Sequence, residues 1–246
     1  MCVFRLASTV MYTGQKDAGK LSIAEQVGLQ VLVEIPAAVI DTLGIDEIVD
    51  PLLEYRVRFC GVSVLSPTLP STLVLEKAAI AAEELEANYV LMKMQRKELD
   101  RFRKLSDELF EIFSSYKIGL CVETNPENAA SIRELILDKI GGVFWIALSP
   151  SEDTSTRRFI DTILYLMRLL KIIKMVNYTK RGASFITDEG NINYYSVLRA
   201  LVENCYDGVI VLDYDSKGLD MYGEKLSYEV SIIRQYAASL PGRDRI

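Results

Sequence analysis

Histidine is absent from the 246 residues, and that absence restricts the chain's chemistry more than any other feature. Imidazole is the commonest side-chain ligand of transition metals and the usual general base near neutral pH. Any reaction here must run on carboxylates, lysine, arginine, tyrosine, thiols or bound water. Cysteine is scarce too: Cys2, Cys60, Cys121 and Cys205 lie far apart and form no CxxC pair. That pattern predicts reduced, packed thiols in a cytoplasmic protein rather than a disulfide framework. No Gly/Ser-rich or Pro-rich linker and no low-complexity run divides the sequence, so residues 1–246 are expected to form one domain. The first residues lack the basic and long apolar regions of a secretory signal. The most apolar stretch, 163–176, carries Arg168, Lys171 and Lys174, and so reads as a buried helix and strand rather than a membrane span.

Half the residues are hydrophobic, enough for a sizeable core, and a charged fraction of 25% excludes a largely disordered chain. The net charge of −6 argues against a general nucleic-acid binder. Short apolar runs alternate with helical periodicity from end to end. Strands are predicted at 3–8, 30–35, 58–65, 89–94, 118–123, 143–148, 172–178 and 208–214. Most are continuous apolar runs, the mark of parallel strands covered on both faces. Helices are predicted at 21–29, 41–55, 71–87, 97–116, 128–140, 154–171, 192–204 and 222–238. Pro126 marks one helix start, and Ser151, Glu152 and Asp153 supply a cap and first-turn acids for another. Eight strands each followed by a helix is the repeat of a single (β/α)8 TIM barrel of the α/β class. A doubly wound open sheet is the alternative, but residues 8–14 carry no G-x-G-x-x-G turn after the first strand.

Barrel chemistry sits where strands end and βα loops begin. The predicted strand ends offer Glu34, Leu65 and Ser66, Lys93, Glu123, Ser149, Asn177 and Asp213. Three acids and a lysine there exceed what packing requires. An unpaired buried carboxylate costs several kcal/mol, so Glu123 is either functional or half of an ion pair with Lys93 or another interior base. Lys93 is a fixed positive charge, a base, or a Schiff-base lysine. Asp215 is expected to be solvated or to cap the loop after the last strand. Gly182, Gly190, Ser216, Lys217 and Gly218 are flexible, partly basic loop material of the kind that binds phosphate.

Several segments resemble the xylose-isomerase-like barrel superfamily, which includes sugar-phosphate isomerases and epimerases and endonuclease IV. Leu-Cys-Val-Glu-Thr at 120–124 resembles the family's fifth strand, whose terminal glutamate, here Glu123, is a metal ligand. Asp-Glu-Gly-Asn-Ile-Asn-Tyr at 188–194 is similar to the segment after the seventh strand. The run at 206–214 looks like the closing strand with its last acidic ligand, here Asp213, and Val-Leu-Val-Glu-Ile at 31–35 resembles the second strand, ending at Glu34. The chain departs from the pattern where the family places an aspartate and a histidine, having Ser149 and Asn177 instead. Family histidines at the ends of strands three and four align with Leu65 and Lys93.

The resemblance therefore implies a divergent sugar or sugar-phosphate isomerase or epimerase with a degraded metal site. Glu123, Lys93 and Asp213 would be its catalytic groups, with Lys93 at the enediolate oxygen. Glu34, Asn177, Ser149, Lys180 and Arg181 would bind a small sugar-like substrate. Any cofactor would be a divalent cation, Mg2+ or Mn2+, on the oxygens of Glu123 and Asp213, and no cofactor is the other possibility. A non-catalytic barrel binding a small molecule or a protein is the alternative function, and an endonuclease IV-like nuclease a weaker one. Neither a membrane nor a nucleic acid is an expected partner, and a homo-oligomer is left open.

Overall fold

The computed structural model describes residues 4–13, 18–137, 142–219 and 224–240. Its eight parallel strands close into a barrel in the order β1-β10-β7-β6-β5-β4-β3-β2. The first half of the chain runs β1 (Arg5–Met11), α1 (Ala18–Val27), β2 (Gln30–Pro36), α2 (Ala37–Thr42), α3 (Ile45–Leu53), β3 (Arg58–Leu65), α4 (Thr72–Glu84) and β4 (Tyr89–Lys93). The second half continues α5 (Leu99–Ser115), β5 (Gly119–Thr124), α6 (Ala129–Leu137), β6 (Phe144–Leu148), α7 (Thr156–Leu166) and β7 (Leu170–Met175). A short hairpin of β8 (Asn177–Thr179) and β9 (Gly182–Ser184) precedes α8 (Tyr194–Glu203), β10 (Val209–Leu212) and α9 (Glu224–Ser239). The expected single (β/α)8 barrel is the observed architecture.

Most departures from the predicted elements have local causes. The helix expected over 41–55 is two, α2 and α3, because the chain turns at Gly44, whose N–H donates to Glu47 Oε2 at 2.7 Å. The helix expected to reach 171 stops at Leu166, and β7 starts before residue 172. Its cap is Ser155, whose hydroxyl accepts from the Arg158 N–H at 3.3 Å, rather than the 151–153 segment. The first strand runs on to Met11, which pairs with Glu34 of β2. Residue 3, residues 138–140 and residues 222–223 of the predicted elements lie outside the described residues.

The core has two layers. The larger lies between strands and helices, and the smaller fills the barrel itself with Ala7, Leu32, Cys60, Leu91, Cys121, Ala147, Ile172, Val209 and Val211. A bulge in β3 brings Gly61 against β4, where a Cβ would stand 2.8 Å from the Tyr89 carbonyl oxygen, so only glycine fits. No helix among the described residues is long and apolar enough to cross a membrane.

Candidate active site

Side chains alternate along a strand, so residues two apart share a face. Two residues beyond the apolar barrel layer, towards the strands' C-terminal ends, that rule places Glu34 after Leu32, Lys93 after Leu91 and Glu123 after Cys121. It likewise places Ser149 after Ala147, Lys174 after Ile172 and Asp213 after Val211. The layer that closes the apolar core is thus polar, and most of it is buried. Above it opens a cavity of about 390 Å³, lined by Glu34, Lys93, Glu123, Lys174, Asp213 and Lys217 together with Ser63, Ser66 and the apolar Met11, Val64, Leu65 and Pro67.

Lys174 is the centre of this layer. Its Nζ lies 2.7 Å from Glu34 Oε1, 3.0 Å from Glu123 Oε2 and 3.9 Å from Asp213 Oδ1. Only 3% of its side chain is exposed. Taking one such charge out of water costs several kcal/mol, and only close opposite charges offset it. Burial opposes the ammonium, but Asp213, Glu123 and Glu34 outweigh burial and hold it well above the ordinary lysine range. It is therefore a permanent cation and a poor nucleophile at neutral pH.

The two glutamates on either side of it are driven apart. Burial pushes the Glu34 carboxyl up, against the pull of Lys174 and with the help of Asp213 and Glu123. Its Oε2 is buried and without a hydrogen-bond partner. Burial also opposes ionisation of Glu123, but Lys174, Lys93 and the Ser149 hydroxyl together hold its carboxyl below the usual range. Ser149 Oγ donates to Glu123 Oε1 at 3.1 Å. Asp213 faces a second lysine as well, with Lys217 Nζ 3.8 Å from its Oδ2.

Four expected site residues, Glu34, Lys93, Glu123 and Asp213, thus line one cavity, and Ser149 reaches it through Glu123. Lys93 is exposed, beside Glu123 in the β4–β5 register, and the cation in contact with Glu123 is Lys174. The remaining three are elsewhere. Asn177 is fully buried, and its amide is spent on the following loop. Its Nδ2 donates to the carbonyls of Asp188 and Ile192, both at 3.0 Å, and its Oδ1 accepts from the N–H groups of Tyr178 and Ile192. Gly190 packs so close that a Cβ there would lie 2.4 Å from the Asn177 side chain. Lys180 and Arg181 sit at the β8–β9 turn and line a separate cleft of about 900 Å³, beside Glu152, Asp153 and Glu189.

The 188–194 segment is structural in the same way. Asn191 accepts from the Tyr178 N–H, Asn193 caps α8 at the Ser196 N–H, and the Tyr194 hydroxyl bonds both backbone groups of Val176. Asp215 is not solvated: it accepts from the Met11 N–H at 2.7 Å and pairs with Lys20. Buried Glu98 ties the loops beside the cavity, accepting from the N–H groups of Leu69 and Gln95. Cys60 and Cys121 are buried free thiols in the barrel, whereas Cys205 is disulfide-bonded, against the expectation of four reduced cysteines.

Among the described residues no group of three or more His, Cys, Asp and Glu side chains is disposed to hold a metal ion. The oxygens of Glu34, Glu123 and Asp213 converge on an ammonium, and a dication placed there would meet its charge. With Lys174 in place, the donor set does not fit a divalent metal.

No protein-family model matches the chain, and no curated protein matches it in sequence. Solved structures do match in fold. A xylose isomerase domain protein from Planctomyces limnophilus superposes with a TM-score of 0.70 at 11% identity, covering 96% of this chain and 98% of its own. A xylose isomerase-like TIM barrel protein from Mycobacterium smegmatis, solved in complex with magnesium, gives 0.62 at 13% identity over 95% and 98%. Endonuclease IV from Thermus thermophilus gives 0.60 at 11% identity over 95% and 99%. The fold of this chain is a TIM barrel similar to those of the xylose isomerase-like proteins.

Proposed function

We propose that the mouth cavity is the active site of an isomerase or epimerase that moves a proton next to the carbonyl of a small sugar-like substrate. The reading is carried by one observation: Glu34 and Glu123 flank the same buried ammonium, face the same cavity and are pushed in opposite directions. Titratable pairs driven apart in this way are the signature of an acid and a base sharing a site. Glu123, held ionised, takes the proton from the carbon beside the carbonyl. Lys93, the register partner of Glu123 on β4, stabilises the negative charge that develops on the oxygen. Glu34, held towards its protonated form, returns a proton. Lys174 and Ser149 position Glu123, and Asp213 positions the two lysines it faces.

The test is solvent-hydrogen exchange. Purified protein in D2O, incubated with a panel of aldoses, ketoses and their phosphates, should wash deuterium into the carbon next to the carbonyl of its substrate. Glu123→Gln should slow wash-in by about 10²–10⁴-fold. A rate unchanged in that variant removes Glu123 from the role of base. Calorimetric binding of a sugar without any exchange would instead make this a binding barrel.

A further inference from the structure

The cleft at the β8–β9 turn is larger than the mouth cavity, about 900 Å³ against 390 Å³, and proton transfer makes no use of it. Three loops wall it and are fastened to one another. Asn191 Nδ2, in the β9–α8 loop, donates to the Glu152 carbonyl of the β6–α7 loop at 2.7 Å. Its Oδ1 accepts from the Tyr178 N–H of the hairpin at 3.2 Å, and its own N–H donates to the Tyr178 carbonyl at 3.0 Å. The cleft is thus preformed, as small-molecule sites usually are. Glu152, Asp153, Glu189, Lys180 and Arg181 line it, and among the described residues none of these five charges makes an ion pair or a side-chain hydrogen bond. Three acids beside two bases are nearly balanced, so a polyanion or a polycation would meet like charges as well as opposite ones. A polyhydroxyl ligand meets no such conflict, because each hydroxyl can donate to a carboxylate or accept from an ammonium or guanidinium.

Tyr178 joins this cleft to the mouth. It is half-buried and lines the cleft. Burial raises its phenol above the usual range; Lys217 opposes that rise, and Asp213, Glu152 and Glu123 add to it. Glu152 lines the cleft, and the other three line the mouth, so charges from both cavities act on one hydroxyl. Its ring is an apolar plate that can pack on the C–H face of a sugar, leaving the hydroxyls at the sugar's edge to the charged groups. We propose that the cleft is a second sugar subsite and that the substrate is an oligosaccharide of two or more units, its reducing end in the mouth and the next unit on Tyr178. The reducing end is the unit that opens to a free carbonyl, the group beside which Glu123 must work. Placing that end in the mouth rests on the proton-transfer reading; the subsite itself does not.

The experiment is titration calorimetry of the full chain with cellobiose, maltose, lactose and xylobiose, each beside the monosaccharide at its reducing end, glucose or xylose. At least one disaccharide should bind about tenfold more tightly than that monosaccharide, the gain that one or two hydrogen bonds to charged groups supply. Arg181→Ala and Glu189→Ala, both at exposed positions, should abolish the gain while leaving monosaccharide affinity and melting temperature unchanged. Tyr178→Ala should abolish it as well, and the two exposed variants decide the matter if that protein does not fold. Disaccharides bound no more tightly than their monosaccharides throughout the panel would overturn the proposal. So would a gain that survives Arg181→Ala and Glu189→Ala. Deuterium wash-in on a monosaccharide, with no gain from a second unit, would refute the subsite and spare the isomerase reading. A gain that depends on Arg181 and Glu189, with no wash-in on any sugar, would refute the isomerase reading alone.

Discussion

Lys174 and Glu123 are carried on the two strands that flank β6, and their side chains meet in front of it, Nζ to Oε2 3.0 Å. The small Ala147 of β6 is the register partner of Glu123, and Ser149 just beyond donates to the other carboxylate oxygen. The contact fastens three consecutive strands at the level where the apolar core ends. Breaking such a pair strands a buried charge, which costs about 3–5 kcal/mol. Lys174→Met and Glu123→Gln should each destabilise the protein strongly, and the double variant should lose less than the two losses combined. Urea denaturation of the four proteins measures this. Losses that add to within about 0.5 kcal/mol would show that the two groups do not interact.

The same cluster should give stability a two-sided dependence on pH. The folded Glu123 carboxyl lies below its ordinary 4.5, so its contribution is present above that value and is lost as pH falls through the folded value. Glu34, facing Lys174, Asp213 and Glu123, is raised above 4.5, so its folded form retains a proton that the unfolded chain releases. Its contribution is lost as pH rises from 4.5 through the folded value. Lys174 behaves in the same sense at the alkaline end, starting from its ordinary 10.5. Denaturation across pH should therefore show Glu34→Gln flattening the fall above 4.5 and Glu123→Gln flattening the loss below it. Identical pH profiles in wild type and both variants would contradict the two assignments.

Inside the barrel, burial pushes the Cys60 thiol up to about 12, and Cys121 beside it is also raised. Only thiolates attack disulfide reagents. Cys60 and Cys121 should stay unlabelled by a disulfide reagent at pH 8 in native protein and react fully in denaturant. Native labelling of either, mapped by mass spectrometry, would show that the barrel interior opens.

Asn177 is a structural residue, so its substitution should act on folding before ligand binding. Asn177→Ala leaves the Ile192 N–H and the carbonyls of Asp188 and Ile192 without their partner, and the Tyr178 N–H with Asn191 alone. The expected loss is about 1–3 kcal/mol, read as a lower melting temperature, with faster amide exchange across 185–192. Unchanged stability together with weakened ligand affinity would return Asn177 to the binding surface.

The barrel was legible because its strands are continuous apolar runs with regular helical spacers, a pattern that a change of a few residues at each end does not disturb. Glu34, Lys93, Glu123 and Asp213 were legible because each stands at the last turn of such a run. Lys174 was not, and the reason is one of register. The apolar run predicts a strand ending at residue 178, whereas β7 ends at Met175 and Asn177 already belongs to the hairpin. With that end misplaced, Lys174 looked like an interruption in a hydrophobic stretch. The signal was available: Lys174 stands two residues after Ile172, on the same face, and Glu123 stands two after Cys121. Asn177 failed for the complementary reason, since a polar group in a loop can be consumed by the loop's own backbone, and spacing does not report that; Lys180 and Arg181 instead line the separate cleft at the hairpin turn.

The counter-charge that Lys174 carries on β7 is made when the chain is made, one per molecule. It needs no loading step after synthesis. Its presence is heritable and is altered by a codon change.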